Sequence, residues 1–390
     1  MGVPSVIVVG AGALGLATAW QLRQSGVLQI TVIDAEYPAS GSSGLSVGYL
    51  QTQHLTPFNI EIRAVAMRTF DELARDHGLE IKRNGYLRLG FTADQVRTFE
   101  RSVEIQREFG ITHPRILDPD ALHLLVPDMR VDDVAGALLG PEDGYLDGHL
   151  YCQLLAEMLT DRGVAILPKT PIHDAEELSD GRVRISTPRG DFEAEYAVNA
   201  AGAWAGRVAG LLGTTVSIRP ERHQAVIARL PHPLAYAMPC VMAYSPGSGT
   251  PGLFFRHERH AHLVVGMHSL EPVGEVVDPD NYRRSNDLEF LEEVAERFQQ
   301  RLPALEEAQL GGGWAGTYPM SDDGLPVVGP SPGRPNIIQA NGAGGAGIML
   351  SPVIGRVAAE WILDGKVRCI SDPEALAPAR LVASTPPEHA

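Results

Sequence analysis

The sequence predicts an α/β fold in which a parallel-stranded unit is interleaved with a second, α+β unit built on an antiparallel sheet. Three observations predict it. A β-branched run breaks into a glycine turn and a helix at the start of the chain, β-branched and aromatic runs separated by Pro and Gly fill 216–268, and a second glycine turn precedes the final helix.

The first observation is the most informative. Val6 to Val9 ends at Gly10-Ala11-Gly12-Ala13-Leu14-Gly15, Leu16 to Ser25 reads as a helix closed by Gly26, and Gln29 to Ile33 reads as a strand ending on Asp34. This register is that of a Rossmann-like dinucleotide-binding unit. Gly10 permits the tight turn, Gly12 lets backbone approach a pyrophosphate, and Gly15 lets helix and strand pack closely. The helix N-terminus stabilises the phosphates, while Asp34 accepts bonds from ribose hydroxyls and disfavours a 2'-phosphate. These residues alone leave NAD and FAD both open. The uncharged stretch Met1 to Gln21 is long enough to span a bilayer, but its glycines divide it into strand, turn and helix, and no basic residue precedes it as in a signal peptide.

Beyond this unit the spacing predicts a helix over 59–77, a strand over 85–89 and a charged amphipathic helix over 93–109, before Pro114, Pro119 and Pro127 interrupt the chain. After Asp147 and Gly148 come a helix at 150–162, strands near 164–167, 183–186 and 195–199, and a helix at 204–212. The charged run 285–301 reads as a helix with one solvated face that covers the antiparallel sheet. A strand at 336–340 and a helix at 348–363 follow. The Pro- and Ala-rich tail after Asp372 reads as disordered or loosely attached.

Composition narrows the function classes. A chain of 390 residues with 44% hydrophobic content buries a sizeable core, and a formal charge of -16 repels nucleic acid and anionic lipid, so the expected partner is a small molecule. Cys152, Cys240 and Cys369 form no CxxC and are odd in number, which suggests neither a disulfide framework nor a zinc site; no metal is expected, and a reducing, cytoplasmic setting is.

The cluster Asn341-Gly342-Ala343-Gly344-Gly345-Ala346-Gly347 opens the last helix with bare backbone at its N-terminus, either a second anion-stabilising turn or a device for close packing. Taken in order, GAGALG with Asp34, Ala39-Ser40-Gly41-Ser42-Ser43-Gly44, Val198-Asn199-Ala200-Ala201-Gly202-Ala203-Trp204, Gly313-Trp314-Ala315-Gly316, Asp323-Gly324-Leu325-Pro326-Val327-Val328-Gly329 and the Gly342 to Leu350 turn carry a resemblance. The chain resembles the FAD-dependent D-amino acid oxidase superfamily, in particular its glycine oxidase, sarcosine oxidase and sarcosine oxidase β-subunit branch, from Val6 to about Asp364.

The resemblance implies FAD in place of NAD. It assigns residues 1–90, 145–215 and 325–372 to the FAD-binding domain, 91–144 and 216–324 to the substrate domain, and 373–390 to the tail. It also implies a cofactor cradle made of Gly10, Gly12, Ala13, Leu14, Gly15, Asp34, Ala35, Ser42, Ser43, Ile172, Ala200, Ala201, Gly202, Trp204, Gly342, Gly344, Gly345, Ala346, Gly347, Ile348 and Met349. Backbone N-H groups of the last turn then meet the flavin edge where negative charge collects on reduction.

On the substrate side the resemblance points to His268 and Tyr318 as catalytic candidates and to Gln51, Arg256 and Met349 as substrate-binding ones. Several depart from the family pattern. Tyr318 stands where glycine oxidases grip a carboxylate with Arg, Met349 where sarcosine oxidase has Lys, and Gln51 where relatives often show Arg. Arg256 and His257 either supply that charge or form a surface pair; His268 either accepts a proton from substrate or is a structural histidine. Val264 replaces the Lys associated with dioxygen reactivity, which implies a dehydrogenase or a slow oxidase. Tyr318 with Pro319, and Leu45, occupy the places of residues that tether FAD, which implies non-covalent FAD.

The expected activity is oxidation of the C-N bond of a small amine or amino acid, with dioxygen or another electron acceptor. Oxidation of a hydroxy acid, or service as an FAD-carrying subunit of an oligomer or multisubunit complex, are the alternatives.

Overall fold

A computed structural model describes residues 4–244, 252–268 and 274–382. The chain opens with β1 (Val6–Val9), α1 (Ala13–Gln24) and β2 (Ile30–Ile33). A short β3 (Tyr49–Leu50) and α2 (Pro57–His77) lead to β4 (Tyr86–Gly90), α3 (Ala93–Glu108), β5 (Arg115–Leu117), α4 (Pro119–Leu125), β6 (Gly136–Gly140) and β7 (Gly144–Tyr145). After α5 (Gly148–Asp161) come β8 (Ala165–Leu167), β9 (Asp174–Glu177), β10 (Val183–Thr187), β11 (Gly190–Ala194), β12 (Tyr196–Asn199) and α6 (Ala205–Leu211). Then follow β13 (Arg219–Arg229), β14 (Cys240–Ala243), β15 (Gly252–His257), β16 (His262–His268), β17 (Glu275–Val276), α7 (Leu288–Arg301) and β18 (Gln309–Met320). The elements β19 (Val327–Ser331), β20 (Arg334–Asn341), α8 (Gly347–Asp364) and α9 (Ala379–Val382) end the described chain.

Two large sheets organise these elements. The first has the order β19-β20-β12-β1-β2-β8, with β1 parallel to both β12 and β2. Its central strands are mostly apolar because helices or chain cover both faces, and every residue of β1 is buried. Helices α1 and α8 pack together over one face; α8 is long and apolar enough to cross a membrane, yet Val353, Ile354 and Val357 lie in the same core as Leu16 and Ala17 of α1. The second sheet has nine strands, with β17-β13-β16-β15-β14-β4-β6-β5 in order and β18 paired to β13. Its outer face is covered by α7, whose Phe290, Val294 and Phe298 recur every four residues and are buried against Phe255, Leu263 and Val265.

Two expectations need correction. The strand 86–90 was assigned to the FAD-binding domain, yet β4 pairs with β14 and β6 in the second sheet. Four of its five residues are buried, which suits either sheet, so only pairing decides. The tail was expected to be loose, but its first part docks. Leu376 is fully buried, its carbonyl accepts from Val328 N at 2.8 Å, and Arg380 pairs with Asp323 at 2.7 Å. Residues 383–390 of that tail lie outside the described residues.

Candidate active site

The carboxyl ends of β1, β2 and β12 open onto a cavity of about 500 Å3, and β13, β15 and β18 of the second sheet form its opposite wall. A crevice beyond the carboxyl ends of parallel strands, where neighbours on either side of β1 come from different parts of the chain, is where such sheets accept ligands.

The dinucleotide end is built from backbone. Gly10 has φ 109°, and a Cβ there would stand 2.4 Å from the Ala200 carbonyl oxygen, so this turn and the Ala200 to Gly202 turn touch only because one lacks a side chain. Ala11 N donates to Asp34 Oδ2 at 2.7 Å and Glu36 N to Oδ1 at 2.8 Å. Burial raises the Asp34 pKa, and these two N-H bonds oppose the rise. Ala13 N donates to Ser43 Oγ at 2.9 Å, which ties the 40–46 loop to the start of α1. The N-cap residue of α1, Gly12, has no side chain, no acidic residue occupies the first turn, and Ser43 takes only the Ala13 N-H, so the positive end is left to an anion.

The flavin end is built where α8 begins. This helix too has no side-chain cap and no acid in its first turn. A Cβ on Gly345 would lie 2.6 Å from the Tyr318 ring, so the glycine lets β18 approach the turn. Trp314 Nε1 donates to the Leu45 carbonyl at 2.8 Å, and Ser42 and Thr317 hydroxyls lie 3.2 Å apart, which pins the loop between the two sheets. With Asp34 at one end, an uncapped helix in the middle and a second at the other end, these residues fit FAD.

The structure gathers most of the expected positions. Gly10, Gly12, Ala13, Leu14, Asp34, Ala35, Ser42, Ser43, Ile172, Ala200, Ala201, Gly202 and Trp204 line the cavity together with Gly344, Gly345, Gly347, Ile348 and Tyr318. Gly15 lies behind the wall, where a Cβ would meet the Gly10 carbonyl oxygen at 1.9 Å, in keeping with a packing role. Gly342, in the turn after β20 with φ 72°, and Ala346, which packs on the core, do not line the cavity.

The substrate candidates are placed differently from the expectation. Met349 is 2% exposed within the main core, since the first turn of α8 points it inward. Arg256 is also off the cavity wall. Its Nε donates to the Val47 carbonyl at 2.9 Å, its Nη1 to the His257 carbonyl at 3.0 Å, Glu258 neutralises it, and Tyr145 stacks under it at 3.9 Å. His257 in turn bonds the Met238 amide and the His260 carbonyl, a structural use. Gln51 stands just after β3 with a buried Oε1 that has no partner among the described residues.

His268 lies behind the wall, edge-on to Tyr244 at 5.5 Å. Burial, helped by the Arg88 charge, lowers its pKa to about 4. His223 was missed by the sequence reading and does line the cavity. It stacks on Tyr318 with centroids 3.9 Å apart and planes 19° from parallel. Burial, and then His268, lower its pKa to about 4 as well. Phe254, Trp314 and Thr317 complete this wall. What signal existed was the alternation along β13, which puts His223 opposite Gly316 of β18, but the pairing of these two strands is not visible in sequence.

Comparison with known proteins agrees with this geometry. The family described as DAO, FAD dependent oxidoreductase, matches residues 5–361. FAD-dependent oxidoreductase domain-containing protein 1 of Bos taurus is 29% identical over 94% of this chain and 82% of its own length. Glycine oxidase of Geobacillus kaustophilus is 26% identical over 92% of each chain. The crystal structure of L-proline dehydrogenase from P. horikoshii superimposes with a TM-score of 0.86 at 26% identity, covering 97% of this chain and 98% of that one.

Proposed function

Since the chain belongs to the DAO family of FAD-dependent oxidoreductases, we propose that it oxidises the C-N bond of a small amine or amino acid to an imine, which water hydrolyses. FAD supplies the hydride acceptor when bound. The chain's own task is to hold the substrate carbon toward Tyr318 and Gly345 and to keep the substrate nitrogen uncharged.

The observation that carries this reading is the pair of uncharged histidines, His223 and His268, beside an aromatic wall. An ammonium is disfavoured among Phe254, Trp314 and Tyr318, because desolvation penalises the charged form. With pKa values of about 4, both imidazoles are neutral at pH 7; His223 faces the cavity, and His268 behind it adds no positive charge to the site. His223 lines the cavity with its ring stacked on Tyr318, while its buried Nε2 makes no hydrogen bond among the described residues and lies 3.8 Å from Glu221 Oε2. Glycine oxidase and L-proline dehydrogenase among the similar proteins act on amino acids by name, which favours nitrogen over oxygen at the reacting carbon.

Two further points bear on the cofactor. Cys152 and Cys240 are buried away from the cavity, Leu45 packs on Gly316, and no cysteine lines the cavity among the described residues, which supports FAD held without a covalent tether. Val264 is 1% exposed between Ile227 and Arg256, is itself apolar, and the Arg256 charge opposite it is taken up by Glu258. That supports an electron acceptor other than dioxygen.

The test is anaerobic mixing of the FAD-loaded protein with amines, amino acids and hydroxy acids while the visible flavin band is followed. Bleaching by amines or amino acids is expected. Bleaching by hydroxy acids alone overturns the C-N reading, and no bleaching at all points to an FAD-carrying subunit. Repeating the active case in air should give little peroxide, and acid precipitation should leave a colourless pellet.

A further inference from the structure

Arg88 is half-buried on β4, on the face of the second sheet that looks toward the cavity. The register places it: Arg88 opposes Met242, Met242 opposes Phe254, Phe254 opposes Gly266, and Gly266 opposes Ala225. Phe254 and Ala225 of this row are cavity wall. One strand, β14, separates Arg88 from Phe254, so their backbones stand two strand spacings, about 10 Å, apart, a gap that an extended arginine side chain and a bound carboxylate close. The next row carries His268 opposite Gly252, and Arg88 is close enough for its charge to act on that histidine.

The electrostatics on this side are unbalanced. Arg63, 5% exposed on α2, faces Arg88 closely enough for the two charges to oppose each other. Nε of each guanidinium is buried without a hydrogen-bond partner, and neither forms an ion pair among the described residues. Asp143, the carboxylate that acts on Arg63, accepts at its Oδ1 from Thr52 N and Oγ1. Buried positive charge without a counter-ion is costly, and an anion that enters recovers that cost. Other cations near the cavity are already matched: Arg207 pairs with Asp278 and Asp280, and Arg256 with Glu258. The family's usual carboxylate positions hold Tyr318, Met349 and Gln51, none of them charged.

We propose that Arg88, backed by Arg63, anchors the carboxylate of the substrate from the β4 side of the cavity, so that the substrate is an amino acid rather than a simple amine. This rests on the C-N reading above for the nitrogen but not for the anion. A guanidinium offers a planar pair of donors that matches a carboxylate. With the carboxylate held at β4, the amine group falls toward the His223 side of the cavity wall and the reacting carbon toward Tyr318.

Calorimetric titration of the FAD-loaded protein with acetate, and separately with acetamide, tests it without turnover. Wild type should bind acetate and not acetamide, Arg88→Gln should weaken acetate at least tenfold at unchanged FAD content and circular dichroism, and Arg88→Lys should retain part of the affinity. Equal acetate affinity in wild type and Arg88→Gln overturns the proposal, as does wild type that ignores acetate or binds acetamide as well. If Arg88→Gln fails to fold, the wild-type comparison of acetate with acetamide and the Arg88→Lys titration still decide. Acetate binding that depends on Arg88, in a protein whose flavin no amine or amino acid reduces, upholds the anchor and removes the C-N reading.

Discussion

Asp143→Asn removes a carboxylate that the fold holds in an unfavourable state at neutral pH. Asp143 is 2% exposed; its Oδ1 accepts from Thr52 N and Thr52 Oγ1, each at 3.0 Å, while Oδ2 has no partner among the described residues. Burial therefore outweighs the two Thr52 bonds and raises the pKa from 3.8 to about 7. The folded state binds this proton more tightly than the unfolded chain does. The stability the group contributes is thus fully present below pH 3.8 and is lost as pH rises through 7. At roughly 1.4 kcal/mol per tenfold change in proton activity, the loss amounts to about 2 kcal/mol at pH 5 and about 4 kcal/mol at pH 8.

Asparagine keeps a carbonyl oxygen for Thr52 and cannot ionise. The variant should gain stability over wild type by roughly 2 kcal/mol more at pH 8 than at pH 5. Urea denaturation of both proteins at the two pH values measures that difference directly. An identical gain at both, or none, refutes the reasoning, because it means that Asp143 ionises in the folded protein as it does in water.

Other substitutions probe the cavity and the tail. Gly10→Ala places a Cβ against the Ala200 carbonyl at a positive φ, so purified protein should lose most of its yellow FAD colour and cost about 1–3 kcal/mol in stability; a fully yellow variant of unchanged stability contradicts the cradle. His268 has its folded pKa lowered to about 4, so its contribution is complete above pH 6.5 and is lost as pH falls toward 4. His268→Asn should accordingly be less acid-sensitive than wild type by about 2 kcal/mol at pH 5, and parallel pH-stability curves for the two proteins would count against a buried neutral imidazole. Leu376→Ala, at the docked part of the tail, should cost about 2–5 kcal/mol, whereas a cost near zero by thermal melting would mean that the tail does not pack on β19.

The sequence by itself determined the dinucleotide end of this protein. A strand, a glycine turn and a helix are local in chain, and the constraints that shape them are local too: Gly10 takes a conformation that other residues avoid, and the acid at Asp34 sits at the end of the next strand in contact with the turn. The two helix N-termini at Gly12 and Gly347 were legible for the same reason, since a helix start is written within a few residues. The helix α7 was legible through its charged run over 285–301, and the structure shows Phe290, Val294 and Phe298 on the buried face opposite those charges.

Tertiary structure alone decided the substrate wall. The row Arg88, Met242, Phe254, Gly266 and Ala225 joins strands far apart in the chain, and the pairing of β4 with β14 has no signature in either strand. A strand shows which residues share a face but not which neighbour it will have. That is why β4 was assigned to the wrong unit and His223 went unnoticed. Arg256 could not be told from a carboxylate ligand until Glu258 and Tyr145 were seen around it. The loose composition of the tail concealed Leu376, whose burial depends on a groove beside β19 that exists only in the folded molecule.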